Sequence, residues 1–376
     1  MGDKFRVGVI GCGGMAANHV SGYLECDRFQ ISALSDLSSE AMIAFDKKFN
    51  GYKHYQPKHY LDAYEMLDSE NLDVVSIATW HKGHAKWTIA AAARKPKAIL
   101  CEKPMAEDIG HAADMIIACE RNNVKLTVGH QRRFLPSYVE TRNLIEKGAI
   151  GKVQMIRSIS GSGLLNWASH LFDMFRYLLG DDDCDWVMGA VERNTDRYER
   201  SIRIEDRALC SFGFKSGADG LLLSDFKEDY YQGCTVIGSE GIIELRPEYY
   251  RLMNSDTNGN WSEISPKGKY FQPDESGFEI KEGAVLQAEE LADWIQGNVQ
   301  NHRGEALHGY KAVEMACAVY ESSRLHEMIR LPLKTRVYPL DLMVESEHLP
   351  IQYPGHYDIR ASQLRGENMI SDENNK

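Results

Sequence analysis

No run of apolar residues approaches the length of a membrane-spanning helix, so no helical membrane protein is expected. Positive charge is in short supply: 43 Lys and Arg stand against 55 Asp and Glu, a formal net charge of −12. That balance argues against a nucleic-acid surface or an anionic membrane as partner. The first apolar run is broken by glycines, so nothing resembles a secretory signal. The eight cysteines form no CxxC pair, and reduced, mostly buried thiols in a cytoplasmic protein are expected. Internal repeats and low-complexity blocks are missing too. What remains is a chain of 376 residues with 43% in the hydrophobic set, enough for two cores, and two domains are expected.

The stretch from Phe5 to Asp36 organises the rest. An apolar run (Val7, Val9, Ile10) meets a glycine cluster; a helix-compatible segment and a second apolar run follow, ending on a carboxylate. This order is that of a dinucleotide site. Gly11 permits the tight turn, Gly13 lets backbone approach a pyrophosphate, and Ala16 lets the helix pack on the strand. The phosphates belong at the helix N-terminus. Asp36 lies somewhat beyond the usual spacing of about 20 residues. A carboxylate there takes both ribose hydroxyls and repels a 2′-phosphate, and Leu37 follows it rather than arginine. NAD is therefore favoured over NADP.

Periodicity then predicts a strand over Gln30–Ser35 and helices over Ser39–Phe49 and Tyr60–Leu67. Strands are expected at Asp73–Thr79, Ala98–Cys101 and Lys125–Gly129, with helices at His84–Ala93 and Ile109–Arg121. Regular alternation implies a parallel sheet covered on both faces, with ligands beyond the carboxyl ends of its strands, where Asp36, Trp80 and Lys103 fall. After His130 the pattern changes. Helices are predicted at Pro136–Lys147 and Leu164–Leu179. Consecutive strand-like pieces run from Val187 to about Leu245, the signature of a mainly antiparallel sheet. Two late helices, Glu282–Trp294 and Gly309–Met328, close the pattern, the last expected to brace the first domain. The expected fold class is α/β, with domains at 1–130 (dinucleotide-binding), 131–330 (substrate-binding and oligomerisation, α+β) and an arm at 331–376, disordered after about Arg365. Tyr230 with Tyr231, and Tyr249 with Tyr250, are aromatic pairs suited to a sugar pocket, a sheet core or a subunit interface.

Four segments together resemble the glucose–fructose oxidoreductase, inositol dehydrogenase and rhizopine-catabolism (Gfo/Idh/MocA) family. They are the turn Gly11–Ala16, Glu102-Lys103-Pro104, the segment Gly129–Phe134, and the run from Gly163 to Asp173. The resemblance implies an N-terminal NAD(P)-binding Rossmann domain, a C-terminal domain on an open sheet that often joins subunits into dimers or tetramers, and substrates that are sugars, cyclic polyols or their keto derivatives. It implies that Lys103 and His170 are catalytic. Asn166, Trp167, Asp173 and Arg133 are assigned to substrate. Gly11, Gly13, Gly14, Met15, Asp36, Thr79, Trp80, His84, Glu102, Lys103 and Gln131 are assigned to cofactor. Adjacent Arg132 and Arg133 are also suited to pairing with Glu102.

The chain departs from its relatives at Asn166, where many carry aspartate; asparagine holds a hydroxyl but accepts no proton at neutral pH. Trp80 and His81 replace proline and asparagine. His81 and His84 have a metal-like spacing, but nothing nearby completes a ligand set and no metal is expected. The expected activity is NAD-dependent hydride transfer to or from a secondary hydroxyl or ketone of a sugar or polyol. Two alternatives are a glycosidase-type enzyme that recycles tightly bound NAD through oxidation, elimination and reduction, and a non-enzymatic nucleotide or sugar sensor.

Overall fold

Short apolar runs separated by helix-forming segments build the first part of the chain. The structure, a computed structural model, describes residues 4–161, 163–225 and 233–360. In order come β1 (Phe5–Ile10), α1 (Gly14–Cys26), β2 (Phe29–Ser35), α2 (Ser39–Phe49), β3 (Tyr55–Tyr60), α3 (Ala63–Ser69), β4 (Val74–Ile77), α4 (Gly83–Ala92), β5 (Ala98–Cys101), α5 (Ile109–Asn122) and β6 (Lys125–Val128). The six strands form one parallel sheet in the order β3-β2-β1-β4-β5-β6. Parallel strands are covered on both faces, and Val7, Val9, Ile31, Leu34, Val74, Ile77 and Ile99 are fully buried. Ser38 and Asp62 cap α2 and α3, their side-chain oxygens accepting from the N–H groups of Ala41 and Tyr64 at 3.1 and 2.8 Å.

β3 corrects the predicted helix Tyr60–Leu67: the helix starts later, at Ala63, and a strand precedes it. Its sequence, YQPKHY, lacks apolar alternation. It is a strand because β2 offers it backbone partners, and Pro57 is tolerated because β3 lies at the sheet edge.

The chain continues with α6 (Pro136–Glu146), β7 (Val153–Ser160), a single π-helical turn (Gly163–Trp167), α7 (Ala168–Leu178), β8 (Cys184–Glu192), β9 (Thr195–Glu199), β10 (Ile202–Arg203), β11 (Arg207–Phe214) and β12 (Asp219–Ser224). Then come β13 (Cys234–Gly238), β14 (Gly241–Leu245), β15 (Tyr250–Asn254), β16 (Ser262–Ile264), α8 (Phe278–Gln296), α9 (Ala306–Leu325), β17 (Ile329–Arg330), α10 (Pro339–Glu345) and β18 (Tyr353–Asp358). A nine-stranded sheet runs β16-β15-β14-β13-β7-β12-β11-β8-β17, antiparallel except that β7 and β12 are parallel. A small sheet, β10-β9-β18, stands apart from it. Tyr230, Tyr231 and the tail beyond 360 lie outside the described residues; Tyr250 is buried on β15, its hydroxyl donating to Glu140 at 3.3 Å.

The chain forms two units. One gathers the chain up to Ala106, His111–Leu135 and Lys267–Gly309; the other takes Glu107–Gly110, Pro136–Pro266 and the chain from Tyr310. The helix that packs on α1 of the first unit is thus α8, so close that a Cβ on Gly22 would lie 2.5 Å from the Ala284 carbonyl oxygen. Among the described residues no helix is long and apolar enough to cross a membrane.

In the second unit one face of the large sheet is core: Phe212 packs against Phe172 and Phe175 of α7, and Cys210, Leu222, Ile156, Val236 and Ile243 are buried. Glu205 is buried as well. One carboxylate oxygen accepts the Leu164 N–H at 2.8 Å and the other accepts from the Tyr320 hydroxyl. Burial outweighs both bonds and pushes the Glu205 carboxyl from its ordinary 4.5 up to about 7. Because the folded value is the higher one, this group contributes stability that is fully present below about 4.5 and is lost as pH rises through about 7. In wild type, unfolding free energy should fall across that window by about 1.4 kcal/mol per pH unit from this group alone. Glu205→Gln should flatten that part of a denaturant-melt pH series, and an unchanged slope would show that Glu205 does not titrate there.

Candidate active site

The dinucleotide turn joins β1 to α1 where the sheet order reverses, with β1 beside β4. Gly11 has a φ of +91°, and a Cβ there would lie 2.7 Å from the Ala78 carbonyl oxygen at the end of β4, so only glycine fits. At Gly13 and Gly14 an added Cβ would meet nothing within 4 Å, an open approach to the start of α1. Gly13 caps α1 with no side-chain hydrogen bond, and no acidic residue stands in its first turn. The N–H groups and dipole there suit an anion. Asp36, just past β2, accepts from the Cys12 N–H at 2.9 Å and the Ser38 N–H at 3.0 Å. A carboxylate has lone pairs beyond these two for ribose hydroxyls. Leu37 beside it is 90% exposed and gives no cation for a 2′-phosphate. Met15, on the first turn of α1, is half-buried. These features fit NAD, which Gly11, Gly13, Gly14 and Asp36 would hold.

Lys103 follows β5 at the same carboxyl edge of the sheet, half-buried, and its bond to Pro104 is cis. Glu102 is 4% exposed; its Oε2 accepts the Lys103 N–H at 3.0 Å, and its Oε1 lies 2.8 Å from His19 Nε2. Burial alone would raise the Glu102 carboxyl. The His19 hydrogen bond and the charges of His19, Lys103 and His84 override that and hold it below the usual carboxylate range. Glu102 is therefore ionised, so His19 donates from Nε2, while its Nδ1 lies 2.7 Å from Ser76 Oγ.

His84 is fully buried at the start of α4, with Nδ1 2.8 Å from the Pro104 carbonyl oxygen and Nε2 3.0 Å from that of Thr79. It braces the Thr79–Trp80 loop against the Lys103–Pro104 turn. Gln131, Arg132 and Arg133 share a 3₁₀ turn and are all buried; Arg132 donates to Glu279 of α8 at 2.5 Å.

In the second unit the expected substrate residues stand at one junction. Asn166 and Trp167 are on the π turn, and His170 and Asp173 are on the first turns of α7, three residues apart on neighbouring parts of one face. All but the half-buried Trp167 are buried. A π turn widens the helix and is frequent at functional sites. Asn166 Nδ2 donates to Glu199 Oε1 at 2.6 Å.

Three buried supports escape reading from sequence. His19 leaves a trace, a polar residue on the apolar α1 face between Ala16 and Val20. Glu199 and Glu205 leave none, because the groups they hold on the π turn, Asn166 and the Leu164 N–H, are distant in the chain.

A sequence model described as "Oxidoreductase family, NAD-binding Rossmann fold" matches residues 5–130, and one described as the "GFO/IDH/MocA C-terminal domain" matches residues 157–244. The rhizopine catabolism protein MocA of Rhizobium meliloti is 30% identical over 270 residues, 65% of this chain and 78% of that protein. Myo-inositol 2-dehydrogenase of Thermotoga maritima is 28% identical over 254 residues, 63% of this chain and 74% of that protein. The solved structure of levoglucosan dehydrogenase in complex with NADH and levoglucosan has the same fold, with a TM-score of 0.77 at 20% identity, covering 88% of this chain and all of that one. With its dinucleotide turn, its Glu-Lys-Pro turn and both matched domains, this chain belongs to the Gfo/Idh/MocA family of NAD-binding oxidoreductases.

Proposed function

We propose that the chain moves a hydride between NAD and a secondary hydroxyl, or the matching ketone, of a sugar or cyclic polyol. The observation that carries this reading is the place of Lys103, at the same sheet edge as the glycine turn and Asp36, with its backbone held by an ionised, buried Glu102. The names of relatives, myo-inositol 2-dehydrogenase and D-apiose dehydrogenase, support the substrate class.

NAD, when bound, supplies the hydride acceptor. His170, assisted by Lys103, takes the proton of the reacting hydroxyl and returns it in reverse. Lys103 places positive charge near the oxygen as that proton leaves. Asn166, Trp167, Asp173 and Arg133 bind the remaining substrate groups. Trp80, half-buried just beyond β4, would help hold the nucleotide.

Homo-oligomerisation through the second unit's open sheet face belongs to the same proposal. Register aligns Leu209, Leu223 and Ile159 in one row and Ile237, Ile242 and Met253 in another. All are partly exposed, and Leu209 and Met188 are 47% and 56% exposed. An apolar face of this breadth suits a second copy of the chain. The eight cysteines are free, seven of them buried, and burial pushes the thiols of Cys101, Cys210 and Cys234 up, so they are inert. This supports a cytoplasmic setting.

A screen of polyols, aldoses and keto-sugars with NAD or NADH, read by absorbance of the reduced ring, should find a substrate. Lys103→Ala and His170→Ala should each lower kcat/KM on it by about 10²- to 10⁴-fold; wild-type values in both would sink the catalytic assignment. Asp36→Ala should weaken NAD about tenfold and narrow its preference over NADP, and unchanged selectivity would remove Asp36 from cofactor choice. Met188→Asp with Leu209→Asp should reduce the mass seen by light scattering to that of one chain, whereas an unaltered oligomer would exclude that face.

A further inference from the structure

We propose that Glu199 is a positioning residue for the substrate turn: it orients Asn166 and ties that turn to the C-terminal strand β18. The proposal rests on the reading that the junction of the π turn and α7 binds substrate. Asn166 is 3% exposed, and its amide nitrogen donates to Glu199 Oε1 at 2.6 Å. Glu199 is the last residue of β9 and 1% exposed. Beside a carboxylate oxygen that accepts, an asparagine amide has one satisfactory orientation, nitrogen toward that oxygen. The Asn166 oxygen is thereby turned away from Glu199, as an acceptor for a hydroxyl.

The carboxylate is held in turn. The guanidinium groups of Arg200 and Arg360 reach the same Oε1 at 3.3 Å each. Arg360 lies just beyond β18, which pairs in parallel with β9. Asp358, at the end of β18, accepts from the N–H groups of Arg200 and Ser201 at 3.2 and 2.9 Å. The segment from β18 to Arg360 is thus bonded to the one that carries Glu199, and Arg360 meets Asn166 through one oxygen.

Glu199 also decides which side chain position 166 can carry. Aspartate there would bring a second carboxylate against the first, out of water, where two such groups cannot both ionise cheaply. A neutral amide avoids that repulsion. The turn then reads a substrate hydroxyl with an uncharged oxygen, which suits a neutral polyol over an amine.

The test compares wild type with Asn166→Asp, Glu199→Gln, the double variant and Asn166→Ala. Each is assayed with NAD on myo-inositol, D-glucose and D-apiose for kcat and KM separately, with sugar binding to the NAD-loaded protein followed by calorimetry and NAD affinity measured alongside. Asn166→Asp should weaken sugar binding and raise KM about tenfold, the effect of one buried hydrogen bond lost, with a smaller change in kcat. The double variant should return both to within about threefold of wild type, because the amide introduced at position 199 donates to the carboxylate introduced at position 166. NAD affinity should stay unchanged throughout. If the losses in the two single variants multiply in the double, Glu199 does not act through Asn166 and the proposal is overturned. If Asn166→Ala itself leaves KM and sugar binding at wild-type values, the substrate reading of this turn fails instead. Should Asn166→Asp not fold, the double variant decides: sugar binding near wild type supports the coupling, and a loss as large as that of Asn166→Ala overturns it.

Discussion

An ionised carboxylate out of water constrains the whole first unit. Glu102 keeps its charge at 4% exposure, and removing one partner from such a buried pair costs about 3–5 kcal/mol. Three parts of the chain are shaped by it. α1 contributes His19, which donates to one oxygen. The Lys103 backbone donates to the other. The end of β6 contributes Gly129, where a Cβ would lie 2.9 Å from the same carboxylate. Because α1 also begins with the glycine turn, the dinucleotide turn and the lysine turn are joined through His19 and Glu102. The glycine turn and Lys103 are therefore parts of one network.

The second unit repeats the principle with two carboxylates. Glu205 accepts a backbone N–H of the π turn, and Glu199 accepts from the side chain of Asn166 on that turn. The two differ in their partners. Glu199 has arginines within reach, while Glu205 has a tyrosine hydroxyl, and burial pushes its carboxyl up. A π turn has wider hydrogen-bond spacing than an α-helix. Glu205, from outside the turn, satisfies a backbone N–H at its start, while Glu199 fixes a side chain on it.

Much of the fold is legible in the chain. Alternating apolar runs and helical segments announce the parallel sheet, since a strand covered on both faces must be apolar throughout. β3 escapes because it is polar and exists through its pairing with β2. The parallel partnership of β7 and β12 escapes because register is a relation between distant segments. β9 and β18 escape for the same reason, so a tail with little periodicity holds a helix, α10, and a strand. Local chemistry made Gly11, Asp36 and Lys103 visible as candidates. His84 was visible too, but its use of both ring nitrogens on backbone carbonyls was not.

The amino-acid sequence by itself determined the nucleotide turn, the acidic end of β2 and the Glu-Lys-Pro segment, because each depends on neighbours a few residues away and on the backbone freedom of glycine. Only the tertiary structure decided which carboxylates stay charged and what they hold. Glu102 meets a helix 83 residues distant in sequence, and Glu199 meets both a turn 33 residues before it and an arginine 161 residues after it. Burial and partner together set the charge of such groups, and neither is written in the local sequence.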